Sequence, residues 1–130
     1  MNQKQKELNE VKIDGKIYVP KGTEKKQIQL ANVEKGLTYC IVRTHSAGVF
    51  AGFWNRKIKG KEGTVYNSRR IWYWDGANSL SQLAMDGTLK PDKCKFAKVV
   101  PETDLKEVIE VIPCTTKAKT SIGGVSIWEQ

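Results

Sequence analysis

The 130-residue chain has three cysteines, one histidine, four prolines and no apolar run close to the ~20 residues that a membrane-spanning helix needs. Each scarcity excludes something. Cys40, Cys94 and Cys114 are odd in number and show no CxxC spacing, so with His45 alone they favour neither a zinc site nor a disulfide framework. The polar start MNQKQKELNE does not read as a signal peptide. These features predict a soluble cytoplasmic protein with reduced thiols. Catalytic motifs are also missing. A nucleophile needs a base beside it, and no Cys or Ser near His45 has an acid partner in sequence. Asp75, Asp86, Asp92 and the acids of 102–110 show no paired-carboxylate spacing, and HExxH, GxxxxGK[ST] and GxGxxG do not occur. The expectation is a protein that is not an enzyme and uses no metal or cofactor.

What is present is an ordinary globular composition, 39% hydrophobic and 28% charged, at a length that favours one domain over residues 1–130. Net charge is +8, and it is unevenly placed. Residues 36–74 hold 7 basic groups against 1 acidic, whereas 75–130 hold 7 against 8. All four arginines, Arg43, Arg56, Arg69 and Arg70, lie in that middle third. A guanidinium grips phosphate with two hydrogen bonds and stacks on rings. The arginine-rich middle therefore suggests an anionic partner, against the plain alternative of a solvated basic face.

Residues 1–10 read as a frayed end or short helix. VKIDGKIYV reads as a hairpin turning at Asp14-Gly15. LTYCIVRT, VFAGFW and TVYNSRRIWYW are strands rich in β-branched and aromatic residues, close enough in sequence to form an antiparallel meander. KFAKVV and EVIEVI are later strands, the second stopped by Pro113. SLSQLAMDG has Ser79 and Gln82 in capping-box spacing and Gly87 as a stop; TTKAKTSI is a last short helix capped by Thr115. The fold class is α+β: a curved, mostly antiparallel sheet with two or three short helices. A partly closed barrel is the alternative, eased by glycines 48 and 52.

Within 64–74, alternation places Val65, Asn67, Arg69, Ile71 and Tyr73 on one face and Tyr66, Ser68, Arg70, Trp72 and Trp74 on the other. Arg69 and Arg70 then point to opposite faces, and either can be an arginine stem covering a ring rather than a ligand contact. Arg43 follows four residues that read as core, so it requires a partner or a wet cleft. The amino end of the SLSQLAMDG helix offers free N–H groups, with Asn78 just before it and Ser79 at its cap. One arginine on a phosphate contributes roughly 1.5–3 kcal/mol and a ring on a base ~1–3. Arg43, an aromatic and this helix tip would together bind a nucleotide. A second reading is a nucleic-acid-binding module using Arg56, Lys57, Lys59 and Lys61 of the basic 55–63 loop together with Arg69 and Arg70.

YCIVRTHSAGVFAGFW, NSRRIWYWDGANSLSQLAMDG and EVIEVIPCTTKAKTSI together resemble a family of small phage and prophage proteins. Its pattern runs VRT-x-SAGV-x-AG, then ARR-[IL]-WYW-x-GA-x-SLSQLA, then a late VIEI-[IL]-x-x-T-x-x-A. The resemblance covers about residues 39–128, with Ser68 where alanine is usual. That family is similar to the phage anti-Thoeris sponges, which sequester a cyclic ADP-ribose isomer made by bacterial TIR-domain enzymes. The resemblance implies a non-catalytic protein of the infected host's cytoplasm. It further implies a homo-oligomer, dimer-based with a hexamer among the options, binding the intact nucleotide at subunit junctions. Arg43 and Asn78 are the positions it carries over, Tyr66 or a neighbour is the looser choice for the aromatic, and Lys93 and Lys95 stand where a late arginine contact would be.

Overall fold

In the computed structural model, residues 11–13, 16–18 and 36–129 are described. The 1–10 segment and the expected turn at Asp14-Gly15 lie outside them. Strands β1 (Val11–Ile13) and β2 (Lys16–Tyr18) pair antiparallel with Ile13 opposite Lys16, the register of the expected hairpin. Among the described residues they pair only with each other.

The expected meander is present as β3 (Thr38–Thr44), β4 (Val49–Trp54) and β5 (Gly63–Tyr73). β6 (Lys95–Phe96), β7 (Val100–Leu105) and β8 (Val108–Pro113) complete a six-stranded sheet in the order β6-β5-β4-β3-β8, with β7 also on β5. β5 is long enough to carry two short partners along one edge, β7 on its first half and β6 on its last turn of chain. Helices α1 (Leu80–Asp86) and α2 (Thr116–Gly123) complete an α+β fold. Both helices start as their sequences predict. Ser79 Oγ accepts from Gln82 N–H at 3.1 Å and Thr115 Oγ1 from Ala118 N–H at 3.0 Å. Gly87, at φ 77°, closes α1 by donating to the Leu83 carbonyl.

The sheet is curved but is not a barrel, which corrects that alternative. Only Lys106 and Glu107 separate β7 from β8, yet no ladder joins them. The corner is held instead by loop bonds, Val108 N–H to the Lys61 carbonyl at 2.8 Å and His45 N–H to the Glu107 carbonyl at 2.9 Å.

Curvature gives two cores. Tyr39, Ile41, Ala51, Phe53 and Ile71 pack against Leu83 and Ala84 of α1 and Ala118 and Ile122 of α2. On the opposite face Cys40, Val42, Phe50, Trp54 and Val65 pack with Leu105 and Val108 from the β7–β8 corner. Strands buried on both faces read as continuous apolar runs, as β3 and β4 do. Burying one large side chain such as Trp54 or Phe50 contributes about 1.5–3 kcal/mol.

Strict alternation in β5 fails at Asn67. Phe53 pairs with Tyr66 but Ala51 with Arg69, so Asn67 and Ser68 together oppose Gly52. Asn67 takes the extra step at φ 51°, a conformation asparagine tolerates better than most residues. The bulge inverts the phase: Val65 joins Phe50 and Trp54 in the second core, away from Ile71. A β-carbon on Gly52 would lie 2.5 Å from Val65 Cγ1 and 2.7 Å from the Tyr66 carbonyl oxygen, so the bulge closes only over glycine. The predicted KFAKVV strand is also split. β6 ends at Phe96 and β7 begins at Val100, extending through Pro101 and two acids that gave no strand signal.

Candidate functional site

β5 carries a second bulge. Ile71 pairs with Phe96 and Tyr73 with Lys95, which leaves Trp72 as an extra residue. Bulges re-aim side chains at strand ends. Here Trp72 and Tyr73 both open to solvent, 58% and 50% exposed, instead of dividing between core and surface. The chain's end supplies a third ring. Ile127 bridges Phe96 in parallel, and Trp128 N–H donates to the Phe96 carbonyl at 2.9 Å. Trp72, Tyr73, Trp128 and Lys95 line an open hollow of about 420 Å³. Lys95 Nζ lies 5.2 Å from the Trp128 ring centre and 5.9 Å from that of Tyr73. The hollow offers flat apolar faces beside a fixed cation, a combination suited to a planar, negatively charged ligand.

The two arginines before it have separate fates. Arg70 is sandwiched, its guanidinium carbon 4.6 Å from the Phe50 ring and 5.4 Å from Trp72, with Nε buried and unpartnered. It supports the back of Trp72. Arg69 is 3% exposed; it donates from Nε to the Ala97 carbonyl at 2.7 Å and from Nη1 to the Ile122 carbonyl at 2.8 Å, over the Phe96 ring. It thereby ties the chain after β6 to the carboxyl end of α2, where a cation is favoured. Burial lowers its pKa, with Tyr39 opposing that shift.

The remaining predicted residues are not gathered into the hollow. Arg43 is exposed and paired with Glu110 on β8, Nε to Oε1 at 2.9 Å. Tyr66 is exposed on β5 between Phe53 and Glu102. At the α1 tip two donors are already engaged, Gln82 N–H by Ser79 Oγ and Asn78 N–H by Gln82 Oε1 at 2.7 Å. An anion there would compete with both. Lys93 is exposed in a 3-10 turn, Pro91–Lys93, two residues before Lys95. Asp75 serves the turn, accepting from Gly76 N–H at 2.7 Å while its carbonyl accepts from Thr88 Oγ1.

Burial also sets the thiols. Cys40 and Cys114 are each pushed up to about 12, so they are held as neutral core residues. Among the described residues no group of three or more His, Cys, Asp and Glu could hold a metal.

A family profile described as a domain of unknown function (DUF6948) matches residues 37–122, about two-thirds of the chain. The chain belongs to the DUF6948 family. No curated protein and no solved structure matches it. The DUF6948 region spans β3 to α2 and includes Trp72, Tyr73 and Lys95; Trp128 lies beyond it. Of the hollow residues the sequence reading named Lys95 as a site residue and missed all three rings, Trp72, Tyr73 and Trp128. For Trp128 the signal was slight, a lone tryptophan in a terminal VSIW. Trp72 and Tyr73 were missed as a pair because strict alternation sends them to opposite faces.

Proposed function

We propose that the protein binds and sequesters an intact cyclic ADP-ribose-type nucleotide, countering bacterial TIR-based antiphage defence, and that the base is held in the Trp72–Tyr73–Trp128 hollow. The observation that carries the reading is this cluster of solvent-open rings around Lys95. Its volume falls within the roughly 300–1,000 Å³ of small-molecule sites. A base stacked on one ring contributes ~1–3 kcal/mol, and Lys95 with Lys93 supplies charge for the phosphates. The resemblance to the anti-Thoeris sponges favours an adenine-bearing, pyrophosphate-linked ligand released unchanged.

Calorimetry against cyclic ADP-ribose isomers tests this, followed by mass analysis of ligand recovered after heating the protein. Trp128→Ala and Lys95→Met should each weaken binding about 10–100-fold, the range of one lost stack or charged contact. The recovered ligand should have unaltered mass. Full binding by both variants, with loss in Arg43→Ala and Asn78→Ala instead, would move the site to the β3–α1 region.

One observation favours a second reading, nucleic-acid binding. The basic loop is held in shape: Lys57 N–H donates to Asn55 Oδ1 at 3.0 Å, Ile58 N–H to the Asn55 carbonyl at 3.1 Å, and the Lys61 carbonyl is fixed by Val108. Arg56, Lys57, Lys59 and Lys61 are thus displayed on a firm turn. That reading requires affinity for short DNA falling steeply with salt, by about one logarithmic unit per phosphate neutralised. A flat salt response rejects it.

A further inference from the structure

The side chains that wall the hollow carry polar atoms that are almost all donors. Trp72 and Trp128 each have an indole N–H and Lys95 an ammonium, and none of these groups can accept a hydrogen bond. Tyr73 alone has a hydroxyl that can accept. Among the described residues no carboxylate or carboxamide side chain lines the hollow. The nearest acid in sequence, Asp75, is engaged in its own loop: its carboxylate accepts from Gly76 N–H at 2.7 Å and lies 4.0 Å from Lys90 Nζ.

This inventory suits some ligand groups and not others. Phosphate and ring-carbonyl oxygens are acceptors, and donors meet them. An adenine amino group is itself a donor, with only the Tyr73 hydroxyl to receive it. The hollow is also wet, since Trp72 is 58% exposed, Tyr73 50% and Trp128 37%. A base laid on these rings keeps its edge in water, where solvent replaces a missing protein partner. Strong discrimination between bases needs buried polar groups that the wrong base leaves unpaired, and all four lining residues are exposed. The ring faces do not supply it either, because every base presents a π-face and stacking tolerates exchange of one base for another.

We infer that the hollow selects a flat purine joined to phosphate and does not distinguish adenine from hypoxanthine. Its ligand class is therefore wider than adenine nucleotides. The inference rests on the nucleotide reading above and specifies how that site recognises its ligand: the rings hold the base by its faces, Lys95 meets the phosphates, and no side chain reads the base edge. Nothing in the lining requires the adenine that the resemblance favours.

Calorimetry of the full chain with cyclic ADP-ribose isomers, each paired with its hypoxanthine counterpart, tests this. The members of a pair differ at C6 of the base, with nitrogen in one and oxygen in the other. Their affinities should agree within about 10-fold, the span of one neutral hydrogen bond formed at a solvent-open edge. Trp128→Ala removes a stacking face and should weaken both members by the same factor, about 10–100-fold. A preference above about 10-fold for either member, or a Trp128→Ala loss confined to one of them, would overturn the inference while leaving nucleotide binding itself in place. Binding of neither member removes the nucleotide reading and this inference with it.

Discussion

Arg69→Met separates a structural arginine from a ligand-binding one. Arg69 makes two charge-assisted hydrogen bonds, to the Ala97 and Ile122 carbonyls, in a setting that is 3% exposed. Each such bond contributes roughly 1.5–3 kcal/mol. Methionine fills much of the same volume but removes both bonds, leaving the part-buried Ala97 carbonyl without the Arg69 donor and the buried Ile122 carbonyl with the longer Val125 N–H contact at 3.3 Å. Against that loss stands relief, because burial disfavours the guanidinium's charge, as its lowered pKa indicates. The balance is a destabilisation of about 3 kcal/mol. Urea unfolding of a small domain has a slope of ~1–3 kcal/mol per molar, so at a slope near ~1.5 the midpoint should fall by about 2 M. The damage should begin where Arg69 ties elements together. Amide exchange in α2 and around Phe96 should rise more than in β3 or β4. Nucleotide affinity, measured well below the new midpoint, should change little. An unmoved midpoint with abolished binding would refute the reasoning and make Arg69 a ligand contact.

Two further perturbations probe the core. Gly52→Ala forces a β-carbon against Val65 and the Tyr66 carbonyl and should cost about 1–3 kcal/mol, read as a lowered melting temperature; an unchanged value would mean that the Asn67 bulge relaxes freely. Cys40 and Cys114 have folded pKa values raised from 9.0 to about 12. The unfolded chain therefore releases their protons first, and their contribution to stability is complete below pH 9 and declines as pH rises toward 12. Unfolding compared between wild type and Cys114→Ala should show the stability gap changing across that window and staying constant below pH 8; a gap that ignores pH would remove the assigned cause.

The pattern of buried runs made β3 and β4 legible in the sequence, because a strand apolar on both sides needs no phase to be recognised, and β8 was legible from its β-branched residues. The caps of α1 and α2 were legible for a local reason, since Ser79 and Thr115 act within three residues. β7 was not legible. Its VPETDL carries a proline and two acids, and an edge strand tolerates both because one side of its ladder is free. Pairing of β7 with β5 is also long-range, with Gly63 opposite Leu105, and nothing local announces it.

The candidate site depended on something finer than the choice between helix and strand. Each bulge in β5 shifts the side-chain phase by one residue, and phase decides which groups can meet. The first, at Asn67, places Val65 in the second core with Phe50 and Trp54. Beyond it Arg69 turns toward α2, while Arg70 stacks on Phe50. The second, at Trp72, brings two neighbouring rings out together beside Lys95. Arg43, Asn78 and Ser79 fit an anion site by residue type, yet Arg43 Nε is engaged by Glu110, the Asn78 backbone N–H by Gln82 Oε1, and Ser79 Oγ by Gln82 N–H. Lys95 differs, because its ammonium rests on ring faces rather than on a carboxylate. A cation held that way keeps its hydrogen-bonding capacity for an incoming anion, and what sets the end of β5 apart is that Lys95 stands beside three solvent-open rings, Trp72, Tyr73 and Trp128, that offer flat faces to a base.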